Sequence, residues 1–170
     1  MGVAGSGKST IGKLLAAELG YLFLEGDDFH SDEAKAMMAS GTPLRSDLRQ
    51  EWVDRLAVTL TQHAAAGKSC VLSYSGLIAS QRQQLRDAGS QTRFIYLQGS
   101  AELLAARLRA RSGHYMPASL LQSQLDSMQS SGDESDVFPF SIAQPVELLV
   151  RQILHQLEEL LVRLRQLKCV

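Results

Sequence analysis

An α/β fold built on a parallel sheet is what this sequence predicts, and three observations predict it. Four short apolar runs alternate with amphipathic stretches of helix length. A glycine-rich segment ending in Gly-Lys-Ser opens the chain and runs straight into a helical pattern. Acidic residues follow the first apolar run directly, where a strand would end. Together they predict helices on both faces of the sheet, a three-layer sandwich, with 170 residues forming a single domain around one core.

The first element is a loop and its helix. Gly2-Val3-Ala4-Gly5-Ser6-Gly7-Lys8-Ser9 fits G-x-x-x-x-G-K-[ST] at every fixed position, the pattern of a P-loop NTPase. Glycines let main-chain N–H groups curl around phosphate oxygens without Cβ clashes. Gly2, Val3, Ala4, Gly5, Ser6, Gly7, Lys8, Ser9 and Thr10 are therefore the candidate nucleotide-binding residues. Lys8 is a compact cation suited to β- and γ-phosphates. The Ser9 hydroxyl is the candidate Mg²⁺ ligand. Ile11, Leu14, Leu15 and Leu19 recur at helical spacing and predict a helix over 10–19. Its N-terminus adds partial positive charge at the phosphates.

Strands are predicted at "YLFLEG" (21–26), "SCVLSYS" (69–75), "TRFIYLQG" (92–99) and "VFPFSI" (137–142). Helices are predicted at about 31–39, 47–66, 78–87, 100–111, 117–128 and 144–167. Pro139 lacks an N–H and places the last strand at an edge. "SSGDESD" (130–136) is a polar loop. The last helix carries Leu149, Ile153, Leu157, Leu160, Leu161, Leu164 and Leu167 in one stripe, either a packing face or a coiled-coil seam.

Composition narrows the class. A net charge of −1 gives no broad polyanion-binding surface and argues against a nucleic-acid partner. No apolar stretch reaches membrane-spanning length, and no signal peptide precedes the loop. Cys70 and Cys169 stand far apart and outside any metal-ligand spacing, Cys70 reading as a buried thiol and Cys169 as a tail residue. Reduced thiols beside a nucleotide site suit the cytoplasm.

The chemistry beyond the loop lies in two stretches. "EGDDFH", Glu25 to His30, ends the first strand run, and ligands in open α/β sheets bind at that end. A kinase of a hydroxyl compound needs a carboxylate to orient the hydroxyl and take its proton, so Asp27 and Asp28 are catalytic candidates. The alternative is a capping acid for the next helix, for which Ser31 is an equally good residue. His30 either contacts substrate or caps. "RLRARSGHYMP" holds Arg107 and Arg111 four apart on one helix face, placed to stabilise charge on a transferring phosphoryl group, or else forming a solvated basic face. Arg49, Arg82 and Arg86 are further anion clamps.

"MGVAGSGKST", "FLEGDDFH", "MASGTPL" and "RSGHYMPASLLQSQ", in that order, resemble the gluconokinases, small kinases of the nucleoside monophosphate kinase-like class. The resemblance covers roughly residues 1 to 145. It implies ATP- and Mg²⁺-dependent phosphorylation of D-gluconate at its 6-hydroxyl, a sheet of order 2-3-1-4-5, and a helical lid over about 107–130. It also implies a homodimer in many members. It makes Arg111 catalytic, Arg107 nucleotide-binding, and Asp28, His30, Arg49, Arg82 and His114 substrate-binding.

The departures fall on the acceptor side. Ala34 and Met37 replace the family's Asn and Lys, and Tyr74 and Ile78 stand at its Cys and Lys. Ser46-Asp47-Leu48-Arg49 keeps only part of an acidic pattern, and Met128-Gln129-Ser130 replaces Leu-Glu-Pro. Family members begin with a further apolar run before Met-Gly-Val, so the first, central strand is expected to be truncated here to Met1–Val3 at most. Two other functions compete. A shikimate kinase shares the loop pattern but carries D-x-D and G-G-G where this chain has Asp27-Asp28 and Tyr74-Ser75-Gly76. A catalytically weakened nucleotide-binding paralogue would keep Lys8 and Ser9 while losing acceptor residues.

Overall fold

In the computed structural model, which describes residues 1–88, 91–110 and 118–167, each predicted helix and strand is present within two residues of its expected bounds. The order is α1 (Lys8–Leu19), β1 (Leu22–Glu25), α2 (Asp32–Ala39), α3 (Ser46–Ala65), β2 (Cys70–Ser73) and α4 (Ala79–Arg86). Then follow β3 (Phe94–Gln98), α5 (Ala101–Ala110), α6 (Ala118–Ser127), β4 (Val137–Ser141) and α7 (Val146–Leu167).

Local chemistry sets the boundaries. α1 stops at Gly20, whose left-handed backbone (φ 66°) lets the Tyr21 N–H reach back to Ala16 O at 2.9 Å, as in a Schellman motif. α2 starts because Ser31 Oγ accepts from Ala34 N at 3.2 Å. That bond settles which residue caps α2: it is Ser31, and Asp27 and Asp28 lie outside the helix in a 3-10 turn, Gly26–Phe29.

The strands pair in parallel as β1–β2, with Leu22 opposite Cys70 and Glu25 opposite Ser73, and as β3–β4, with Phe94 opposite Val137 and Gln98 opposite Ser141. These are two two-stranded sheets rather than one continuous sheet. Met1 and Gly2 lie between them. Gly2 N donates to Ser75 O at 2.9 Å, Leu97 N donates to Met1 O at 2.9 Å, and the Met1 amino group donates to Ile95 O. The expected stub of a central strand is therefore present, two residues long in its hydrogen bonds. Beyond it, toward the N-terminal ends of β2 and β3, lies an apolar cleft of 440 Å³ lined by Leu15, Leu60, Leu85, Ile95 and Leu157 among others.

Side chains pack on both faces. On one, Val3, Ile11, Leu15, Leu97, Leu104, Leu121, Ile142, Leu149 and Ile153 join α1, α5, α6 and α7 to the strands. On the other, Met1, Trp52, Val53, Leu56, Tyr74, Leu85 and Phe94 join α3 and α4. The apolar stripe of α7 is a packing face over its first half, where Leu149 and Ile153 are buried in the core and Leu157 packs against it, while Leu161 is exposed. Cys70 is half-buried in β2, and burial pushes its thiol pKa up; Cys169 lies outside the described residues. Pro139 stands opposite Tyr96 in β4, which among the described residues pairs only with β3.

Candidate functional site

The opening loop is shaped by its glycines. Gly5 and Gly7 hold φ of 80° and 93°, the left-handed region that L side chains rarely adopt. Ser6 N donates to Val3 O at 3.3 Å, closing a turn in which Gly5 occupies the third position, where a type II turn needs positive φ. Lys8 Nζ donates to the same Val3 oxygen at 3.1 Å. Ser9 and Thr10 follow in the first turn of α1, half-buried and exposed respectively. No side chain caps the N-terminus of α1, and no acid lies in its first turn. First-turn N–H groups have no partner within their own helix, and an uncapped N-terminus is suited to anionic oxygens. The donor set fits the phosphates of a nucleotide, with Ser9 as the protein's hydroxyl ligand for Mg²⁺. Among the described residues no group of three or more His, Cys, Asp or Glu could hold a metal ion, so phosphate oxygens and water would complete its shell.

Arg107 comes to this loop from α5. Its Nη2 donates to Ile142 O at 2.7 Å, and Nη1 lies 3.9 Å from where a Cβ on Gly7 would stand. The guanidinium is thereby tethered beside the loop. Arg111 and His114 lie outside the described residues.

The acids stand where the strand-end reading places them. Asp27 and Asp28 are both exposed, directly after β1. His30 behind them is buried and stacks on Trp52, centroids 4.3 Å apart and 18° between planes. Trp52 Nε1 donates to Gly26 O at 2.7 Å, fixing the start of the acidic turn. Burial pulls the His30 pKa below its ordinary value and outweighs Asp27, whose carboxylate stands 4.0 Å away. The imidazole is accordingly neutral near pH 7 and offers hydrogen bonds rather than charge. His30 Nδ1, Ser73 Oγ and Tyr74 OH are buried without a partner among the described residues. Tyr74 lies against Trp52 at 5.3 Å, and burial pushes its phenol pKa up.

The arginines separate. Arg49 is half-buried, and the one side-chain hydrogen bond described for it is long, Nη2 to Leu44 O at 3.4 Å. Arg82, expected as an anion clamp, is engaged inside the fold. It is fully buried, its Nη1 donates to Gly76 O at 2.8 Å and its Nη2 to Ser130 O at 3.1 Å, and it pairs with Glu134. Arg86 pairs with Glu134 and, through Nε at 2.7 Å, with Asp136. Both arginines hold the loop before β4 against α4. Hydrogen bonds from Arg82 first, then Arg86, take the Glu134 carboxyl down to about 2.

One residue near the loop escaped the sequence reading. Gln124 of α6 accepts from Ala4 N at 2.7 Å. The motif "SQ" at Ser123-Gln124 was its only sequence signal. The region expected to form a lid includes α6, yet here Leu121 is part of the core and Gln129 N donates to Leu77 O at 2.8 Å.

A family model described as an AAA domain matches residues 1–134. A gluconokinase of Arabidopsis thaliana is 38% identical over 91% of this chain and 88% of its own. A crystal structure of a gluconokinase from Sinorhizobium meliloti 1021 superposes with a TM-score of 0.88 at 37% identity, over 97% of this chain and 93% of that one. An unliganded sugar kinase from Janibacter sp. HTCC2649 gives the same TM-score at 39% identity, over 93% and 91%.

Proposed function

Because the chain belongs to the gluconokinase family of P-loop kinases, we propose a division of labour for transfer of the ATP γ-phosphoryl group to D-gluconate. The observation that carries it is that an uncapped glycine-shaped loop bearing Lys8 and the exposed pair Asp27–Asp28 both stand at the C-terminal ends of strands. Loop N–H groups and Lys8 hold the phosphates, and Arg107 stands ready beside them. Ser9 would hold Mg²⁺, which supplies charge neutralisation at the phosphates when bound.

Asp27 or Asp28 orients the acceptor hydroxyl. As that oxygen bonds to the γ-phosphorus, its proton passes to the carboxylate. The bond to the bridging oxygen breaks, and ADP leaves. Arg49, whose long bond to Leu44 O is readily exchanged, takes the carboxylate of gluconate, and neutral His30 hydrogen-bonds a hydroxyl. Arg111 and His114 join the transferring phosphoryl group and the acceptor respectively, as in the family pattern. The exposed acids favour this reading over a regulator that binds nucleotide alone.

A coupled ADP-release assay over gluconate, other sugar acids and shikimate tests it. Turnover is expected with gluconate above every other acceptor. Turnover with shikimate alone, or with none, would overturn the assignment.

A further inference from the structure

We propose that Gln124 is a positioning residue for the nucleotide site, holding the Val3–Ala4 peptide plane while Lys8 moves from that plane to the phosphates. The inference rests on the reading of residues 2–9 as an ATP site. Its basis is how one peptide unit is bound. Its carbonyl, Val3 O, accepts from Lys8 Nζ at 3.1 Å and from Ser6 N at 3.3 Å. Its N–H, Ala4 N, donates to Gln124 Oε1 at 2.7 Å. The plane is clamped from both edges, by a side chain of the loop itself and by one from α6, 120 residues away in sequence.

The two clamps differ in permanence. A phosphate oxygen is a stronger partner for an ammonium than a peptide carbonyl is, because it carries a full negative charge where the carbonyl offers only a dipole. When nucleotide arrives, Lys8 is drawn from Val3 O, and the carbonyl edge keeps only the long bond from Ser6. The amide edge does not change partners, because a main-chain N–H that faces Gln124 is not also aimed at the phosphates. Gln124 is then the chief restraint on rotation of that peptide about its flanking bonds.

The support for Gln124 is itself fixed. Leu120 and Leu121 of α6 are buried, and the segment after α6 is bonded to the loop after β2 through Gln129 N to Leu77 O and Ala79 N to Gln129 Oε1 at 2.7 Å. This second glutamine makes the same kind of bond, side-chain oxygen to a main-chain N–H, at the same length, but away from the phosphate loop. It is a built-in control.

The experiment measures binding of a non-hydrolysable ATP analogue with Mg²⁺ by calorimetry, then steady-state kinetics with gluconate. Gln124→Leu should weaken analogue binding about five- to tenfold, the size of one hydrogen bond, and raise the KM for ATP with little change in the KM for gluconate. Gln124→Asn, too short to reach Ala4 N, should act alike and guards against misfolding of the Leu variant. Gln129→Leu should lower thermal stability comparably while leaving analogue affinity within about twofold. Equal affinity in wild type and both Gln124 variants overturns the positioning role while leaving the kinase reading intact. Equal weakening by Gln129→Leu overturns it too, by showing that any loosening of α6 suffices. A wild-type chain that fails to bind the analogue overturns the ATP reading and this inference together.

Discussion

Acetylating the Met1 amino group should stabilise the protein, and increasingly so as pH falls. In the 170-residue chain that amine is buried between β2 and β3, and burial, with the nearby Lys8 charge adding to it, lowers its pKa from 8.0 to about 5. The fold thus favours the neutral amine, while the unfolded chain binds a proton below pH 8. Between pH 8 and pH 5 the unfolded state holds more protons, so stability falls as pH falls through that window and levels off below it. The effect is capped at about 4 kcal/mol, and it amounts to roughly 1 kcal/mol at pH 7 and about 3 kcal/mol at pH 5.5. For a chain of this size that is a rise in Tm on acetylation of about 3–6 °C at pH 7 and about 6–12 °C at pH 5.5. The acetylated terminus keeps an N–H for Ile95 O, and the pH dependence of the difference separates charge from the bulk of the added acetyl group. Adding six to eight β-branched residues before Met1 should raise Tm further, by filling the 440 Å³ cleft with a strand, and that increment should not depend on pH. Denaturant melts of the free, acetylated and extended chains at three pH values give both parts. A difference between acetylated and free chains that stays flat from pH 8 to pH 5.5 would refute the burial of Met1 between the two sheets.

Lys8→Ala should reduce kcat by about a hundredfold or more with the melting temperature nearly unchanged, since it removes charge from a loop; retention of a tenth of the activity would contradict the phosphate role. Asp27→Asn and Asp28→Asn should differ, one lowering kcat far more than it changes ATP affinity; full activity in both would end the carboxylate assignment. Arg82→Ala should destabilise by about 3 kcal/mol through loss of the fully buried guanidinium's ion pair and of its bonds to Gly76 O and Ser130 O, whose oxygens lose a donor, whereas Arg49→Ala should raise the KM for gluconate without altering Tm, as urea melts and initial rates would show. Glu134, at about 2 in the fold against an ordinary 4.5, should withdraw stability as pH drops through that interval, and Glu134→Gln should flatten that part of the acid titration.

Helix and strand positions were legible because periodicity and punctuation agree: Gly7 and Gly20 bracket α1, and Ser31 announces α2. The loop was legible because its residue types answer to one chemistry. The surroundings of Arg82 were not legible, for a physical reason. Its spacing with Arg86 marks a helix face but not what covers that face, and its partner Glu134 is 52 residues away in a loop that reads as solvated. Gln124 was hidden likewise, since a glutamine's partner is set by tertiary approach rather than by local pattern. Trp52, which supports His30 and the acidic turn, sits in α3 among ordinary core positions and carries no sequence mark of its neighbours.

The free side of β4 bears on how this protein avoids self-assembly. Phe94 N bonds to Asp136 O and Ile142 N to Gln98 O, so the even-numbered residues of β4 face β3 and Val137, Pro139 and Ser141 face outward. Val137 N is taken up by Glu134 O at 3.0 Å, and Pro139 has no hydrogen to give. Ser141 alone keeps an outward donor within the strand. An incoming strand would meet carbonyls with almost nothing donating between them, so this border is a poor template for fibrillar growth. Pro139 therefore guards this border, and its replacement by Val should shorten the lag of aggregation at high concentration while sparing catalysis.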